Sequence, residues 1–362
     1  MLIRWSMHTY VEIHFQFSYL SNPNHSPSGQ VETTIESAWN ADVVIFSTDG
    51  VRIKLPPKRQ GQYYAAITAQ GSPFLFDRLK DRDFADNIDV FFHYDPFKAD
   101  VWLPWLPCRI RTVGGLDVDA FASSIPEEEL WERRLARRKH FYGHNDHHIV
   151  TFISNCDEKR LETIRVLESS SHHSSLRMDH YGKCNRNLKN LPEFKKSQKE
   201  LGGSYVNVFA QKIEILKAYR MTLVFENAQD IPYYVTEKIY HALASGTLPI
   251  YSGTSSKHVK QILPCDDCVV FVDQFSGLNE LAEHLHYLMN NHSAYMKYFE
   301  WKRRPIRSSF LEMMKYCKKN HRLQQGCIMC EMVLKLREEE ERSISLRFVN
   351  NRDSAYKASW FE

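Results

Sequence analysis

The sequence predicts an α/β protein of two domains, each built on strands joined by helical crossovers. Three observations carry this. The stretch Met221 to Gly253 (MTLVFENAQDIPYYVTEKIYHALASGTLPIYSG) reads as strand, polar loop, helix and strand, an order that joins parallel strands through a right-handed crossover. Compact β-branched runs recur upstream, at Ala41 to Ser47 and His148 to Ser154, each opening its own α/β succession. A length of 362 residues, 43% hydrophobic and 13% aromatic, suits two domains with substantial cores.

Composition narrows the class. A net charge of +3 is nearly balanced, so nothing calls for a nucleic acid or an acidic membrane surface as partner. No run approaches the ~18 apolar residues that span a bilayer. Arg4, His8, Glu12 and His14 interrupt the N-terminal stretch, which does not read as a signal peptide. Eight cysteines, an even count, are compatible with disulfides in an oxidising compartment. Two pairs, Cys265 with Cys268 and Cys327 with Cys330, also have zinc-like spacing. Asn24-His25-Ser26 and Asn291-His292-Ser293 are glycosylation sequons. Together these features favour a luminal chain.

Taken in order, residues 1–140 form the first predicted domain. The strand Ala41 to Ser47 is followed by a proline- and glycine-punctuated turn, Leu55 to Tyr63, and a second strand, Tyr64 to Thr68. Asp89 to Pro104 is rich in aromatics, and Phe91, Phe92, Tyr94, Phe97, Trp102 and Trp105 divide between core packing and stacking on a sugar. Asp81/Asp83 and Asp117/Asp119 have the Asp-x-Asp form, but neither follows a buried strand, so both read as solvated loops or caps. Ile125 to His140 is charged and helical, an expected interdomain linker. His140, His144, His147 and His148 fall in a turn without helical ligand spacing, which reads as a surface loop.

The second predicted domain spans residues 141–315, with a cysteine-containing tail at 316–362. The strand His148 to Ser154 leads to a helix from Glu158 to Ser169, then a Ser/His loop, a short strand and turn within Leu176 to Asn187, and a Lys-rich polar stretch to Gly203. An amphipathic helix, Phe209 to Tyr219, feeds the strand Met221 to Phe225. The next helix starts near Thr236 and ends at Gly246, a left-handed cap. Val269 to Val272 is a further strand, and Leu278 to Met289 a helix with Leu281, Leu285 and Leu288 on one face. Polar residues crowd the loops Glu226 to Gln229 and Tyr234 to Lys238. There, strand ends meet a helix N-terminus and an anion is attracted by free N–H groups and the helix dipole. Physical reading alone gives a nucleotide-sugar or phosphate site.

The pattern FENxxxxxxYVTEKxxxALxxGTxPxxxG, which begins at Phe225, resembles the signature block of the α1,3-fucosyltransferases, inverting enzymes that use GDP-fucose. The likeness extends over about residues 40–330. It takes in the strand ending in Ser154-Asn155-Cys156, the Tyr181-Gly182-x-Cys184-x-Arg186-Asn187 turn and Tyr295 to Arg303. It implies a GT-B-like architecture of two facing Rossmann-like domains, with the donor in the C-terminal one. Arg160 matches the arginine that binds the donor pyrophosphate, with Arg165 as the second choice. Lys238 would join it on the diphosphate, Glu237 would hold ribose or fucose hydroxyls, Tyr234 would pack on the donor, and Glu226 and Asn227 would shape the fucose pocket. No metal or cofactor is required, a divalent metal being at most stimulatory.

The family's candidate base is a glutamate that falls here on Gly71, and glycine cannot take a proton. Asp49 and Asp77 are the possible substitutes; the other reading is a silent relative that binds GDP-fucose or glycan as a regulatory protein. Core-type features (YGKCNRN and the terminal Cys-x-x-Cys, where the resemblance implies a disulfide) point to the GlcNAc of a glycoprotein N-glycan as acceptor, with Lewis-type transfer left open. The family is anchored in the Golgi as type II membrane proteins, so membrane attachment is expected only through an anchor outside this chain.

Overall fold

In the computed structural model the described residues are 43–47, 55, 57–67, 82–97, 99–102, 116, 118–122, 124–133, 147–169, 176–187, 205–322, 332 and 335–339. The chain divides into two compact units, residues 1–104 with 318–362, and residues 105–317. Each holds a wholly parallel sheet, as the α/β expectation requires.

The first sheet comprises β1 (Val43–Ser47), β2 (Tyr63–Ile67), β3 (Val90–His93) and β4 (Val101–Trp102), in that spatial order, with the helix α1 (Arg82–Ala85) between β2 and β3. Phe91, Phe92, Tyr94 and Trp102 are core residues, whereas Phe97 is 60% exposed. Asp83 lies exposed in the first turn of α1, a solvated position rather than a metal ligand. Met332 and Leu336 pack on Tyr63, Ala65 and Phe92, so part of the expected peripheral tail completes this core.

The second unit opens with the short helix α2 (Val118–Ala122). The segment expected to be a linker is not wholly solvated. Leu130 is buried in the second unit's core and Trp131 packs against it, because the helical turn Glu129–Arg133 turns its two large apolar side chains inward. The sheet contains β5 (Ile149–Ile153), β6 (Met178–Gly182), β7 (Met221–Phe225), β8 (Leu248–Ser252) and β9 (Val270–Phe271), in the order β6-β5-β7-β8-β9. Five helices accompany the strands: α3 (Glu158–Ser169), α4 (Tyr205–Leu216), α5 (Glu237–Ser245), α6 (Ser256–Gln261) and α7 (Leu278–Asn290). Every residue of β7 is buried, as a central strand covered on both faces requires.

Two separate apolar clusters flank that sheet. Leu161, Ile164 and Leu167 of α3 join Leu281, Leu285 and Leu288 of α7 against Ile149, Leu223 and Ile250. Ile215 and Leu216 of α4 pack on Val150 and Tyr181. Such faces contribute about 1.5–3 kcal/mol per fully buried large side chain. The expected closing helix, Tyr295 to Arg303, breaks into α8 (His292–Lys297) and a 3-10 turn, Glu300–Arg303, before the long helix α9 (Ser308–Arg322). Among the described residues, no helix is long and apolar enough to cross a membrane.

Candidate functional site

The spatial order β6-β5-β7-β8-β9 starts at the second strand, steps back to the first and then runs forward, so the connections reverse direction between β5 and β7. At such a switch point two adjacent strand ends send their loops apart, leaving a crevice at the carboxyl edge where ligands settle. The loops here are residues 154–157 after β5 and 226–236 after β7, and the structure ties them together through one side chain. Arg160, in the first turn of α3, donates from Nη1 to Asn227 Oδ1 at 2.9 Å and to the Phe225 carbonyl at 3.4 Å, and from Nη2 to the Asn155 carbonyl. Arg160 is only 4% exposed. Its Nε–H is buried and without a hydrogen-bond partner among the described residues. A buried donor of this kind calls for an acceptor that the described residues do not supply.

The loop after β5 is held from below. Gly182 has φ +99°, and a Cβ there would lie 2.2 Å from the Ile153 carbonyl oxygen. Without that Cβ, the turn after β6 folds over the end of β5, and Ile153 accepts from the N–H groups of Lys183 and Cys184 at 3.0 and 3.1 Å. A Cys156–Cys184 disulfide then fastens the two loops. Asp157 caps α3, its Oδ1 accepting the Arg160 N–H at 3.1 Å. Arg165, the second choice for a phosphate ligand, lies exposed on α3 and pairs with Glu158 and Glu162.

The loop after β7 is organised by Glu226, which is wholly buried. Its Oε1 accepts the Thr236 N–H at 2.7 Å and its Oε2 accepts both the Thr236 hydroxyl and the Lys238 ammonium, each at 2.7 Å. Thr236 stands at the N-cap of α5, yet its hydroxyl makes no cap bond because Glu226 takes it. Asp230 and Tyr233 have φ near +59° and +58°, a left-handed conformation costly for a bulky residue. Tyr233 is kept there by donation to Gln261 Oε1 at 3.0 Å and by the His258 ring at 4.7 Å. Tyr234, within the same loop, is buried. At the other end of α5, Gly246 takes φ +67° and its N–H bonds back to Leu243, which ends the helix where the sequence places its cap.

The charges at the head of α5 are coupled. Burial works against the Lys238 ammonium, but the carboxylates of Glu226 and Glu237 outweigh it and hold its pKa above the ordinary lysine value. Burial likewise works against the Glu237 carboxylate, and Lys238, Lys212 and His241 overcome it, bringing its pKa down to about 2. Burial lowers the Arg160 guanidinium, with Asp157, Glu226 and Tyr234 opposing. The site therefore sets two basic side chains, Arg160 and Lys238, and two acidic ones, Glu226 and Glu237, beside a helix N-terminus, with Glu226 engaged by Lys238 and Thr236. That set can neutralise a diphosphate and accept hydrogen bonds from sugar hydroxyls.

A model of the C-terminal domain of glycosyltransferase family 10, the fucosyltransferases, matches residues 143–351, more than half of the chain. The chain belongs to glycosyltransferase family 10. It is similar to GDP-fucose protein O-fucosyltransferase 3 of Xenopus tropicalis, at 25% identity over 75% of this chain and 52% of that protein. It is also similar to human 4-galactosyl-N-acetylglucosaminide 3-alpha-L-fucosyltransferase FUT6, at 30% identity over 74% of this chain and 62% of that one. The chain spans about half of the Xenopus protein's length. A solved α1,3-fucosyltransferase with GDP-fucose superposes with a TM-score of 0.43 at 19% identity, over 71% of this chain and 68% of its own.

In this family 10 chain, Arg160, Glu226 and Asn227 meet at the switch point with Lys238, and Tyr234 and Glu237 stand on the same loop and helix start. Gly71, Asp49 and Asp77 lie outside the described residues, as do His140, His144 and the Cys327/Cys330 pair. His147, just before β5, bonds to Asp179 of β6 at 2.6 Å. Cys265 and Cys268 form a disulfide with each other, which removes them from the zinc reading. Among the described residues no group of three His, Cys, Asp or Glu side chains is placed to hold a metal ion. Thr236 and Asn155 also belong to the site, and neither has a role in the sequence reading. Thr236 was legible as an N-cap one residue before Glu237. The Asn155 contribution is a backbone carbonyl and left no side-chain signal.

Proposed function

We propose that this chain binds GDP-fucose at the β5/β7 switch point and transfers fucose, with inversion, to the GlcNAc of a glycoprotein N-glycan. The observation that carries the reading is the joining of Arg160 and Asn227 across the switch point, with a buried Nε–H that has no partner among the described residues and the Lys238 ammonium at the neighbouring helix head. In the reaction an acceptor hydroxyl oxygen bonds to C1 of fucose as the bond from C1 to the diphosphate oxygen breaks, and the hydroxyl proton passes to a base. Arg160 and Lys238 stabilise the charge that develops on the departing diphosphate. Glu237 accepts from ribose or fucose hydroxyls, while Glu226 acts through Lys238 by fixing its ammonium. The phosphates are handled by side chains and backbone N–H groups, so no metal enters the reading. Golgi residence is the location this acceptor implies.

A second acceptor is favoured by a specific observation. The relative matched over 75% of this chain is named for protein O-fucosylation, in which the acceptor is a protein hydroxyl. The test is fucose transfer from GDP-fucose, read by mass spectrometry, to N-glycan, LacNAc and folded-protein hydroxyl acceptors, with Gly71→Glu beside the parent. Transfer to the N-glycan GlcNAc is the expected result, and exclusive modification of protein hydroxyls would replace that acceptor. GDP binding without transfer by the parent, and transfer by Gly71→Glu, would identify a silenced regulatory relative.

A further inference from the structure

We infer that Asn291 carries an N-linked oligosaccharide whose first N-acetylglucosamine lies on the exposed ring of Tyr287. The inference goes beyond the nucleotide site and rests on the luminal residence proposed above.

Asn291-His292-Ser293 is an acceptor triplet with no proline at its middle position. It sits where α7 (Leu278–Asn290) gives way to α8 (His292–Lys297). The Asn291 amide is held by both of its polar atoms. Oδ1 accepts the Ala294 N–H at 2.9 Å, which caps α8. Nδ2, the atom that takes a sugar, donates to the Tyr287 hydroxyl at 3.2 Å in an exposed contact. The two residues stand four apart and so share one face at the end of α7. Tyr287 is 52% exposed, and with Phe97 it is one of two large apolar side chains so placed among the described residues. A sugar bonded to Nδ2 starts beside this ring. Its C–H face covers the aromatic face while its hydroxyls stay in water.

The triplet lies at the amino edge of the second sheet. Arg220, which precedes β7, donates from Nη1 to the Met289 carbonyl at 2.8 Å, and its own carbonyl accepts from the Tyr295 hydroxyl at 2.9 Å. The switch point is at the carboxyl edge. The length of β7, about 16 Å at the usual rise of a strand, therefore separates the glycan from the nucleotide. Two disulfides among the described residues, Cys156–Cys184 and Cys265–Cys268, suit the oxidising compartment in which such a transfer occurs. In the transfer Nδ2 bonds to C1 of the sugar as the bond from C1 to the diphosphate oxygen of a lipid-linked oligosaccharide breaks, and one amide hydrogen leaves as a proton. Oδ1 is untouched, so the cap on Ala294 survives.

The test is peptide mass mapping, before and after enzymatic removal of N-glycans, of the natural protein and of the same chain secreted from cultured eukaryotic cells behind a leader. Asn291 should be occupied in both. Ser293→Ala, a change at an exposed position that leaves the Asn291 bonds in place, should abolish occupancy. Removal of the glycan from the folded secreted chain should lower its melting temperature by about 2–4 °C, and should leave that of Tyr287→Ala unchanged. A bare Asn291 in a secreted chain whose Cys156–Cys184 disulfide has formed overturns the site. An equal loss of melting temperature in the parent and in Tyr287→Ala overturns the role of the ring. A glycan on the secreted chain beside a bare natural protein overturns the luminal residence, and this inference with it.

Discussion

The Lys238 ammonium sits 2.7 Å from Oε2 of Glu226, a carboxylate with no solvent exposure that also bonds to the hydroxyl and the N–H of Thr236. The pair fixes the Lys238 ammonium, at the head of α5, relative to the end of β7. Glu226→Ala leaves the ammonium without its partner and Thr236 with an unsatisfied N–H, and should cost about 3 kcal/mol of stability. Glu226→Gln keeps an acceptor for Thr236 and should cost less. Urea unfolding of the two variants measures the difference, and equal midpoints for both would show that the charge, not the acceptor, matters.

Gly182→Ala places a methyl group 2.2 Å from the Ile153 carbonyl in a backbone of φ +99°, and the obstacle is main chain that cannot swing aside. Stability should fall by about 2–4 kcal/mol. GDP affinity should fall with it, because the turn that this glycine permits holds the loop carrying Asn155. Unfolding midpoints and GDP titration on the same preparation check both effects.

The Cys156–Cys184 disulfide closes a loop of 28 residues' separation, which corresponds to about 3–4 kcal/mol in the chain-entropy description. Removal of both cysteines by serine should lower the melting temperature. It should also weaken GDP binding, since Arg160 is anchored on the carbonyl of the neighbouring Asn155. A variant that melts lower but binds GDP as the parent does would confine the disulfide to a structural role.

His241 is wholly buried on α5, and burial, with the positive charges of Lys212 and Lys238, lowers its pKa from 6.5 to about 3 against the raising influence of Glu237. The imidazole is neutral in the folded protein and protonates in the unfolded chain below about pH 6.5. Stability contributed by this group is complete above that pH and is lost progressively as pH falls toward 3, up to a limit on the order of 5 kcal/mol. His241→Leu should flatten the dependence of the urea midpoint on pH between about 6.5 and 4, and an unchanged slope would place the acid sensitivity elsewhere.

Much of this was legible in the sequence because the residues concerned have strong local signals. Met221 to Gly253 marks strand, loop, helix and strand by hydrophobic pattern and by a terminating glycine, and the structure places β7 and α5 within a residue of the expected bounds. Arg160 is preferred to Arg165 because only the first-turn position faces the switch point, a distinction that helix geometry makes and composition does not. The strand order that creates the switch point was not legible, since pairing between β5 and β7 is a contact across some seventy residues. Nor was the inward turn of Leu130 and Trp131, embedded in a charged segment whose local pattern favours solvent. Glu226 reads in sequence as a ligand for sugar, and only its complete burial shows that its oxygens are engaged by Thr236 and Lys238.

The central claim is that Arg160 and Lys238 make the switch point a diphosphate site, and calorimetric titration with GDP and with guanosine at neutral pH tests it most directly. The account predicts that GDP binds at least about tenfold more tightly than guanosine. It also predicts that folded Lys238→Ala brings the two affinities together. Equal affinities in the parent, or a preference for GDP that survives in Lys238→Ala, would contradict it.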